Sequence, residues 1–302
     1  MKHLFIINPA AGSRNRMEQY QAQIHDACHA RDLDYTISIT NAPGDATRLV
    51  QEAAKSGEEI RVYACGGDGT LNEVAAGAAG CDHVSITVFA GGSGNDFIKN
   101  FDDPKAFYDI HRLLDAQEDT FDMIRCNDDL ALNICCVGLD AQIGKDVARY
   151  KRLPMLGGFR AYAFATLIHL CGHLSEHYVV EINGERLDQQ MTFVCVCNGR
   201  YYGGGFNPIP EADLADGLLD VLVVDKLHHL QVPSIIGKYK NGRYKELGHV
   251  ARHFRTDKLT VTCDQPSPIN LDGEIRMAQK VEFSIAEEKV HFFYPKGLRW
   301  KA

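Results

Sequence analysis

The sequence predicts a mixed α/β protein with two domains: an N-terminal three-layer α/β domain at residues 1–122 and a C-terminal β-rich domain, a β-sandwich, at residues 123–302. Strand-like and helix-like stretches alternate through the first domain, which is typical of layers built on a largely parallel sheet. Beyond it strand-like runs dominate, and turn pairs such as Asn183-Gly184 and Asp272-Gly273 join them. The end of the chain could also pack back on the first domain.

The elements of the first domain follow from hydrophobic patterning and from helix-start signals. Strands are predicted at residues 4–7, 35–40, 61–64 and 84–89, and helices at residues 16–31, 45–56 and 71–79. Three of these strands lead into loops of glycine or other small residues, at 8–13, 66–70 and 91–96. Ligands bind at the carboxyl ends of the strands in open parallel sheets, so we expect the chemistry at these loops.

The second domain is predicted from a series of short apolar segments rich in β-branched residues. Strands are predicted at residues 130–137, 177–182, 191–197, 218–224, 259–263, 281–286 and 290–293, and helical stretches at 159–171 and 232–245. Tight turns join most of the strands, which favours antiparallel pairing.

Composition and charge argue against several classes of protein. A net charge of -8 argues against a nucleic-acid partner, because phosphate binding needs a basic surface. No run approaches the ~20 apolar residues of a membrane-spanning helix, and the apolar run at residues 4–7 is too short for a signal peptide, so we expect a cytoplasmic protein. The 10 cysteines are scattered and include no Cys-x-x-Cys pair. They are predicted to be buried thiols, with Cys195 and Cys197 on one face of a strand.

The strongest chemical signal is Gly66-Gly67-Asp68-Gly69-Thr70, followed by Leu71-Asn72-Glu73. A strand leads in and a helix leads out, and the glycines let a ligand approach the backbone. Backbone N–H groups at such a turn, together with the helix N-terminus, suit phosphate oxygens. Bare phosphate would repel Asp68, so this acid indicates Mg²⁺ or a proton to accept. The alternative is a tight turn capped by Asp68, although a turn alone needs fewer glycines.

This segment resembles the nucleotide-binding signature of the diacylglycerol kinase superfamily, which includes sphingosine and ceramide kinases. NAD kinases share its first five residues. The next loop, Gly92-Ser93-Gly94-Asn95-Asp96-Phe97, resembles the Gly-Thr-x-Asn-Asp-Phe loop of the lipid kinases, with Ser93 at the Thr position. The first loop, Asn8-Pro9-Ala10-Ala11-Gly12, is similar to their Asn-Pro-x-x-Gly. These loops favour a lipid kinase over an NAD kinase.

Later segments resemble further signatures of the family, in the right order. They are Leu132-Asn133-Ile134, Gly138-Leu139-Asp140-Ala141, Asn198-Gly199-Arg200-Tyr201-Tyr202-Gly203-Gly204-Gly205, Ala215-Asp216-Gly217-Leu218-Leu219-Asp220 and Leu271-Asp272-Gly273-Glu274. The resemblance covers nearly the whole chain. It implies a soluble kinase that uses ATP and Mg²⁺ to phosphorylate a lipid hydroxyl, with diacylglycerol as the expected acceptor and phosphatidic acid as the product.

The resemblance also implies roles for individual residues. ATP is expected to be surrounded by Asn8, Pro9, Ala10, Ala11, Gly12, Thr40, Gly66, Gly67, Asp68, Gly69, Thr70, Leu71, Asn72, Ser93, Asn95, Asp96 and Lys151. Asp68 would organise the catalytic Mg²⁺ and the phosphates, Asn95 and Asp96 would hold their far side, and Lys151, or else Arg152, would contact the phosphates.

Glu274 is the expected catalytic base, and it would accept the proton of the attacking hydroxyl. A poorly solvated lipid pocket could raise the pKa of its carboxyl group enough to help. On spacing alone, Asp272-Gly273-Glu274 predicts only a hairpin turn. The catalytic role follows from the resemblance.

The resemblance further implies a structural Mg²⁺ held by the carbonyl groups of Asp213 and Leu218 around the Asp216 carboxylate, with Asp122 contributing through water. Oxygen ligands with retained water are what Mg²⁺ prefers. Ala215 stands where some relatives carry another Asp, which lowers the charge expected around this ion.

Two other groupings are less specific. His169, His173 and His177 are spaced by four residues, but Gly172 interrupts the helix, so ordinary histidines are expected rather than a zinc site. The basic stretch 238–245 predicts either a solvated helix end or a patch that meets anionic lipid head groups. Peripheral membrane contact is expected for access to the lipid substrate, because a diacyl lipid does not dissolve freely, and exposed β edges make a homodimer plausible.

Two alternatives stay open at this stage. One is a kinase of NAD or of another amphiphile. The other is a non-catalytic lipid-binding or regulatory protein that keeps the fold, although such a protein has no need of Asp68, Asp96 and Glu274 together.

Overall fold

The computed structural model describes residues 1–11, 14–91, 95–150, 169 and 172–300, with the side chains of residues 14–15 and 147–150 left out. The chain forms two compact units. The first comprises Met1–Met123, Gly203–Gly205 and Ala286–Ala302, and the second comprises Ile124–Tyr202 and Phe206–Ile285. The predicted fold class, an α/β domain with a parallel sheet followed by a β-rich domain, is confirmed.

The described residues form fifteen strands and six α-helices. The strands are β1 (Lys2–Ile7), β2 (Tyr35–Ile39), β3 (Ile60–Gly66), β4 (Val84–Ala90), β5 (Ala116–Phe121), β6 (Ile124–Cys126), β7 (Asp129–Ala131), β8 (Ile134–Gly138), β9 (Glu176–Ile182), β10 (Glu185–Cys197), β11 (Leu219–Asp225), β12 (Ala251–Thr256), β13 (Lys258–Leu271), β14 (Glu274–Ile285) and β15 (Val290–Pro295). The helices are α1 (Arg14–His29), α2 (Asp45–Ala54), α3 (Asp68–Ala78), α4 (Ile110–Leu114), α5 (Leu139–Tyr150) and α6 (Val232–Lys240), and three 3₁₀ turns lie at Phe97–Asn100, Pro104–Tyr108 and Tyr244–Leu247.

The first unit is built on a six-stranded sheet in the order β2-β1-β3-β4-β15-β5. Strands β1 to β4 and β15 pair in parallel, and β5 is antiparallel to β15. The inner strands are apolar along their length, as strands covered on both faces must be. Strand β5 was not predicted, because its sequence is mostly polar.

Aromatic rings fill one end of this unit. Phe97 packs on Phe292 with ring centres 5.0 Å apart, and Phe101 and Phe121 lie against the same ring. Phe97 is 2% exposed, so a core side chain fixes the chain at this position, directly after Asn95 and Asp96.

The second unit is a nine-stranded sheet with the order β12-β11-β10-β8-β13-β14-β6-β7, and β9 pairs with β10 and β13. Alternate residues serve different cores: Cys135 and Val137 join one apolar cluster, while Ile134 and Cys136 join another. The predicted strand at 130–137 is two strands, β7 and β8, interrupted at residues 132–133.

The cysteines behave as predicted where they are described. Eight of the nine in the described residues are buried free thiols, and Cys81 is partly exposed. The Sγ atoms of Cys195 and Cys197 lie 3.5 Å apart on one face of β10. Cys171 and the rest of the predicted helix 159–171, except His169, lie outside the described residues. Among the helices of the described residues, none has the length and apolar character needed to span a membrane.

Candidate active site

The carboxyl ends of four parallel strands meet at one edge of the first sheet. Ile7 of β1 is in register with Ile39 of β2 and with Cys65 of β3, and Gly66 is in register with Ala90 of β4. The residues that follow these pairs are therefore neighbours, and they include Asn8, Thr40, Gly67 and Gly91. Most residues proposed for ATP binding lie in these loops or in the first turns of α3.

The turn between β3 and α3 requires glycine at its first position. A Cβ atom on Gly66 would lie 2.5 Å from Oγ1 of Thr70, because the first turn of the helix lies against the strand end. A Cβ on Gly69 would meet nothing within 4 Å. Gly67 is the N-cap of α3 and offers no side chain, so the first backbone N–H groups of an 11-residue helix stay available for an anion.

Asn8 ties the first loop to this helix. Its Nδ2 donates to Oγ1 of Thr70 at 3.0 Å, and its Oδ1 accepts from the backbone N–H of Ala10 at 2.9 Å. Thr40, which is 8% exposed, donates its backbone N–H to the carbonyl of Ile7 at 3.0 Å. Three loops that are distant in sequence are thus fixed together.

Asp68 binds the backbone at Asp96 and Phe97. Its carboxylate accepts the backbone N–H groups of Asp96 at 2.9 Å and Phe97 at 3.0 Å. Burial raises the pKa of Asp68 above its ordinary value, and the two N–H donors oppose that rise. Each carboxylate oxygen has a second lone pair, so Asp68 can still accept a cation or a proton.

Asp96 is 6% exposed and its two oxygens are engaged. The ammonium of Lys99 pairs with Oδ1, and the backbone N–H of Gly204 donates to Oδ2 at 2.7 Å. Lys99 was not singled out from the sequence, although its i,i+3 spacing from Asp96 was a signal that could have identified it. In this arrangement Lys99 balances the charge of Asp96 and Gly204 occupies its second oxygen, and the expected role of Asp96 beside phosphate or metal stays a prediction.

Two asparagines line the same region. Asn72, on α3, is 8% exposed, and its Oδ1 is a buried acceptor with no partner among the described residues. Asn95 has a positive φ of 39° and donates Nδ2 to the hydroxyl of Tyr108 at 3.3 Å. An orphaned buried acceptor beside a helix N-terminus fits a site that is completed by a ligand with donor groups.

Three of the predicted ATP-binding residues, Gly12, Ser93 and Lys151, lie outside the described residues, as does Arg152. Pro9, Ala10 and Ala11 lie in the β1 loop, and Leu71 is buried in α3.

The two carboxylates of the acidic turn Asp272-Gly273-Glu274 have different surroundings. Asp272 accepts three consecutive backbone N–H groups, those of Leu132 at 2.6 Å, Asn133 at 3.0 Å and Ile134 at 2.7 Å. Both Asp272 and Gly273 have positive φ, at 48° and 98°. Asp272 therefore anchors the hairpin to β8.

Glu274 begins β14 and is free to act on a ligand. Its side chain is 51% exposed, and its Oε2 lies 3.9 Å from a guanidinium nitrogen of Arg276. In the described structure this carboxylate faces solvent beside a cation that is itself paired with Asp129 at 3.1 Å, and the expected poorly solvated lipid pocket around it stays a prediction.

The predicted structural Mg²⁺ site does not fit the residues present. Asp216 accepts the N–H of Leu218 at 3.0 Å on one oxygen and pairs with the guanidinium of Arg255 on the other. Asp213 accepts the N–H of Ala215 at 3.0 Å. Asp122 belongs to the first unit, where it pairs with Lys289 at 2.8 Å. No group of three or more His, Cys, Asp or Glu side chains in the described part of the chain is arranged to hold a metal ion.

Two of the histidines spaced by four residues, His169 and His177, have separate carboxylate partners. His169 pairs with Asp146 at 2.8 Å, while His177, on β9, contacts Asp188 and Asp264, each at 2.9 Å.

Comparisons with known proteins cover both units. A family model described as the diacylglycerol kinase catalytic domain matches residues 2–126. A second, described as the YegS C-terminal NAD kinase beta sandwich-like domain, matches residues 133–293.

Curated relatives carry provisional lipid kinase names. A protein of Staphylococcus carnosus (strain TM300) is 26% identical over 297 residues, which is 96% of each chain. One from Staphylococcus aureus (strain JH9) is 24% identical over 255 residues, 83% of each chain.

Two solved structures from Bacillus anthracis share the fold. One is a diacylglycerol kinase, with a TM-score of 0.68, 21% identity and coverage of 98% of this chain and 97% of that one. The other carries a provisional diacylglycerol kinase name, with a TM-score of 0.76, 23% identity and coverage of 98% and 95%.

Proposed function

Because the chain belongs to the diacylglycerol kinase family of lipid kinases, we propose that it transfers the terminal phosphate of ATP, with Mg²⁺, to the hydroxyl group of a lipid. Diacylglycerol is the acceptor that the family favours, and phosphatidic acid is then the product. The observation that carries the proposal is the edge of the first sheet, where Gly66, Gly67 and the N-terminus of α3 meet Asn8 and Asp68.

The ATP-binding role rests on residues that would hold phosphate and divalent cation. The backbone N–H groups at the start of α3 favour negative charge, and the open space at Gly69 lets phosphate approach them. Asn72 would accept a hydrogen bond from the ligand at its orphaned Oδ1. Bound Mg²⁺ would neutralise charge on the transferred group, and Asp68 is the carboxylate proposed to hold it.

Glu274 is proposed as the group that accepts the proton of the lipid hydroxyl. Its side chain is 51% exposed and Arg276, its cationic partner among the described residues, is 3.9 Å away, so the carboxylate is able to accept a hydrogen bond. Positioning and charge neutralisation would supply most of the rate enhancement, as in other phosphoryl transfers.

The chain also carries a segment suited to a lipid surface. Residues 226–245 contain five Lys or Arg side chains and no Asp or Glu. Much of the predicted patch 238–245 is neutralised, because Lys238 and Arg243 pair with Glu246 and Lys245 pairs with Glu211. Leu230, which precedes α6, is 96% exposed. We therefore propose that membrane contact involves Leu230 as well as basic side chains.

Vesicle flotation tests this contact. Leu230→Ser should weaken binding to phosphatidylglycerol vesicles, and Met277→Ser, at a residue 51% exposed on β14, is the matched control. Equal weak binding of the wild type to anionic and neutral vesicles would refute membrane contact. Light scattering on the protein without vesicles tests the expected homodimer.

The reaction itself is tested by transfer of radiolabelled phosphate from ATP with Mg²⁺ to a panel of micellar lipids and to NAD. Wild type is run beside Asp68→Asn and Glu274→Gln, with Asp128→Asn, an exposed turn residue, as the control. Label on a lipid, lost in the first two variants only, supports the proposal. Label on NAD identifies an NAD kinase, and lipid binding without any transfer identifies a non-catalytic binder.

A further inference from the structure

The loop before β11 is tied to β12 by an arginine. Asp220 on β11 and Arg255 on β12 are direct partners in the antiparallel register, so their side chains share one face of the sheet. From this position Arg255 reaches two carboxylates. It pairs with Oδ2 of Asp216, and its Nε lies 3.6 Å from Oδ1 of Asp220.

The second carboxylate is deeply buried. The side chain of Asp220 is 3% exposed, and its Oδ1 also meets Nε2 of His253 at 2.7 Å. Asp216 is 26% exposed, and its other oxygen accepts the backbone N–H of Leu218 at 3.0 Å. A buried carboxylate needs a cation or several donors, and here Arg255 and His253 supply them.

The few carboxylates of the loop at residues 213–218 can be neutralised by one guanidinium group. Residue 215 is alanine, and the Asp213 carboxylate is engaged by the backbone N–H of Ala215 at 3.0 Å. A guanidinium offers five donors in a planar fork, which can bridge two carboxylates. A divalent ion on the Asp216 carboxylate would face the guanidinium already there, and like charges at such distances repel.

We propose that Arg255 is the resident cation of this loop and takes the place of a structural divalent metal ion. The guanidinium fastens the loop at residues 213–218 to the sheet through Asp216, and it neutralises Asp220 from the same position. This assignment concerns stability and does not depend on the proposed reaction.

The test is thermal unfolding followed by circular dichroism, without nucleotide, in EDTA and in millimolar MgCl₂. The wild type should show the same Tm in both. Arg255→Ala should lower Tm in EDTA by about 4 °C, and MgCl₂ should restore part of the loss because the carboxylates can then bind the ion. Arg186→Ala is the matched control: Arg186 also bridges two carboxylates, Glu181 and Asp188, but on an exposed surface.

Three results would overturn the assignment: a wild-type Tm that falls in EDTA, an Arg255→Ala variant that MgCl₂ does not stabilise, or the same MgCl₂ response in Arg186→Ala. If Arg255→Ala does not fold, the metal content of wild-type protein after gel filtration from MgCl₂ decides the question. Retained stoichiometric Mg²⁺ contradicts the assignment, and Mg²⁺ at background level supports it.

Discussion

Replacing Asp272 tests whether this residue stabilises the fold of the acidic turn, as distinct from the catalytic role proposed for Glu274. The Asp272 carboxylate accepts the backbone N–H groups of Leu132, Asn133 and Ile134 at 2.6, 3.0 and 2.7 Å. All three donors belong to buried residues. Asp272→Ala removes the acceptor of all three N–H groups. The alanine side chain cannot accept a hydrogen bond in its place.

The cost can be worked out from these contacts. A buried donor left without a partner costs about 1–3 kcal/mol. Because Asp272 is only partly buried and water can enter the space of the deleted carboxylate, the low end applies to each of the three groups. We expect Asp272→Ala to lower the free energy of unfolding by about 3 kcal/mol, which moves the urea midpoint by about 1 M.

The assay is urea unfolding followed by circular dichroism, with Glu274→Gln and Asp128→Ala measured in parallel. Glu274 is 51% exposed, and Asp128 lies in an exposed turn, so both variants should unfold within about 0.5 kcal/mol of the wild type. An Asp272→Ala variant as stable as these two would refute the anchoring role of Asp272.

Three further predictions concern the first unit. Gly66→Ala should destabilise by about 2 kcal/mol in thermal unfolding, because its Cβ would lie 2.5 Å from Thr70 Oγ1; Gly69→Ala, which meets open space, should not. Burial lowers the pKa of His3 to about 4. The folded state should therefore lose about 3 kcal/mol of stability as pH falls from about 6.5 to about 4. His3→Gln should flatten this pH dependence of the urea midpoint. Lys99→Met should destabilise by about 3 kcal/mol, since it leaves the Asp96 carboxylate, which is 6% exposed, without its cation; a urea midpoint equal to that of the wild type would contradict the pairing.

The sequence predicted the strand ends well because their signals are local. Apolar runs that stop at glycine or asparagine placed Asn8, Gly66 and Gly91 at the sheet edge, and the parallel register then brought them together. Strand β5 was not predicted because its mostly polar sequence shows little alternation of apolar and polar residues. Its position in the sheet comes from pairing with β15.

Contacts between distant residues could not be predicted. The break between β7 and β8 depends on Asp272, which is 140 residues away in sequence from Leu132. The pairing of Asp96 with Gly204 spans 108 residues, and that of Asp216 with Arg255 depends on the register of two strands. The family resemblance proposed Asp96 and Asp216 as ligands, but tertiary partners decide which acids stay available.

The most direct test of the central claim is phosphate transfer to diacylglycerol by Asp68→Asn, measured with the unfolding midpoint of the same preparation. If Asp68 holds the cation and phosphates of the reaction, the turnover rate should fall by at least about 100-fold. The free energy of unfolding should fall by only about 1–3 kcal/mol, because the amide oxygen still accepts from Phe97 while the N–H of Asp96 loses its acceptor. Transfer at near the wild-type rate by a folded Asp68→Asn variant would contradict the account.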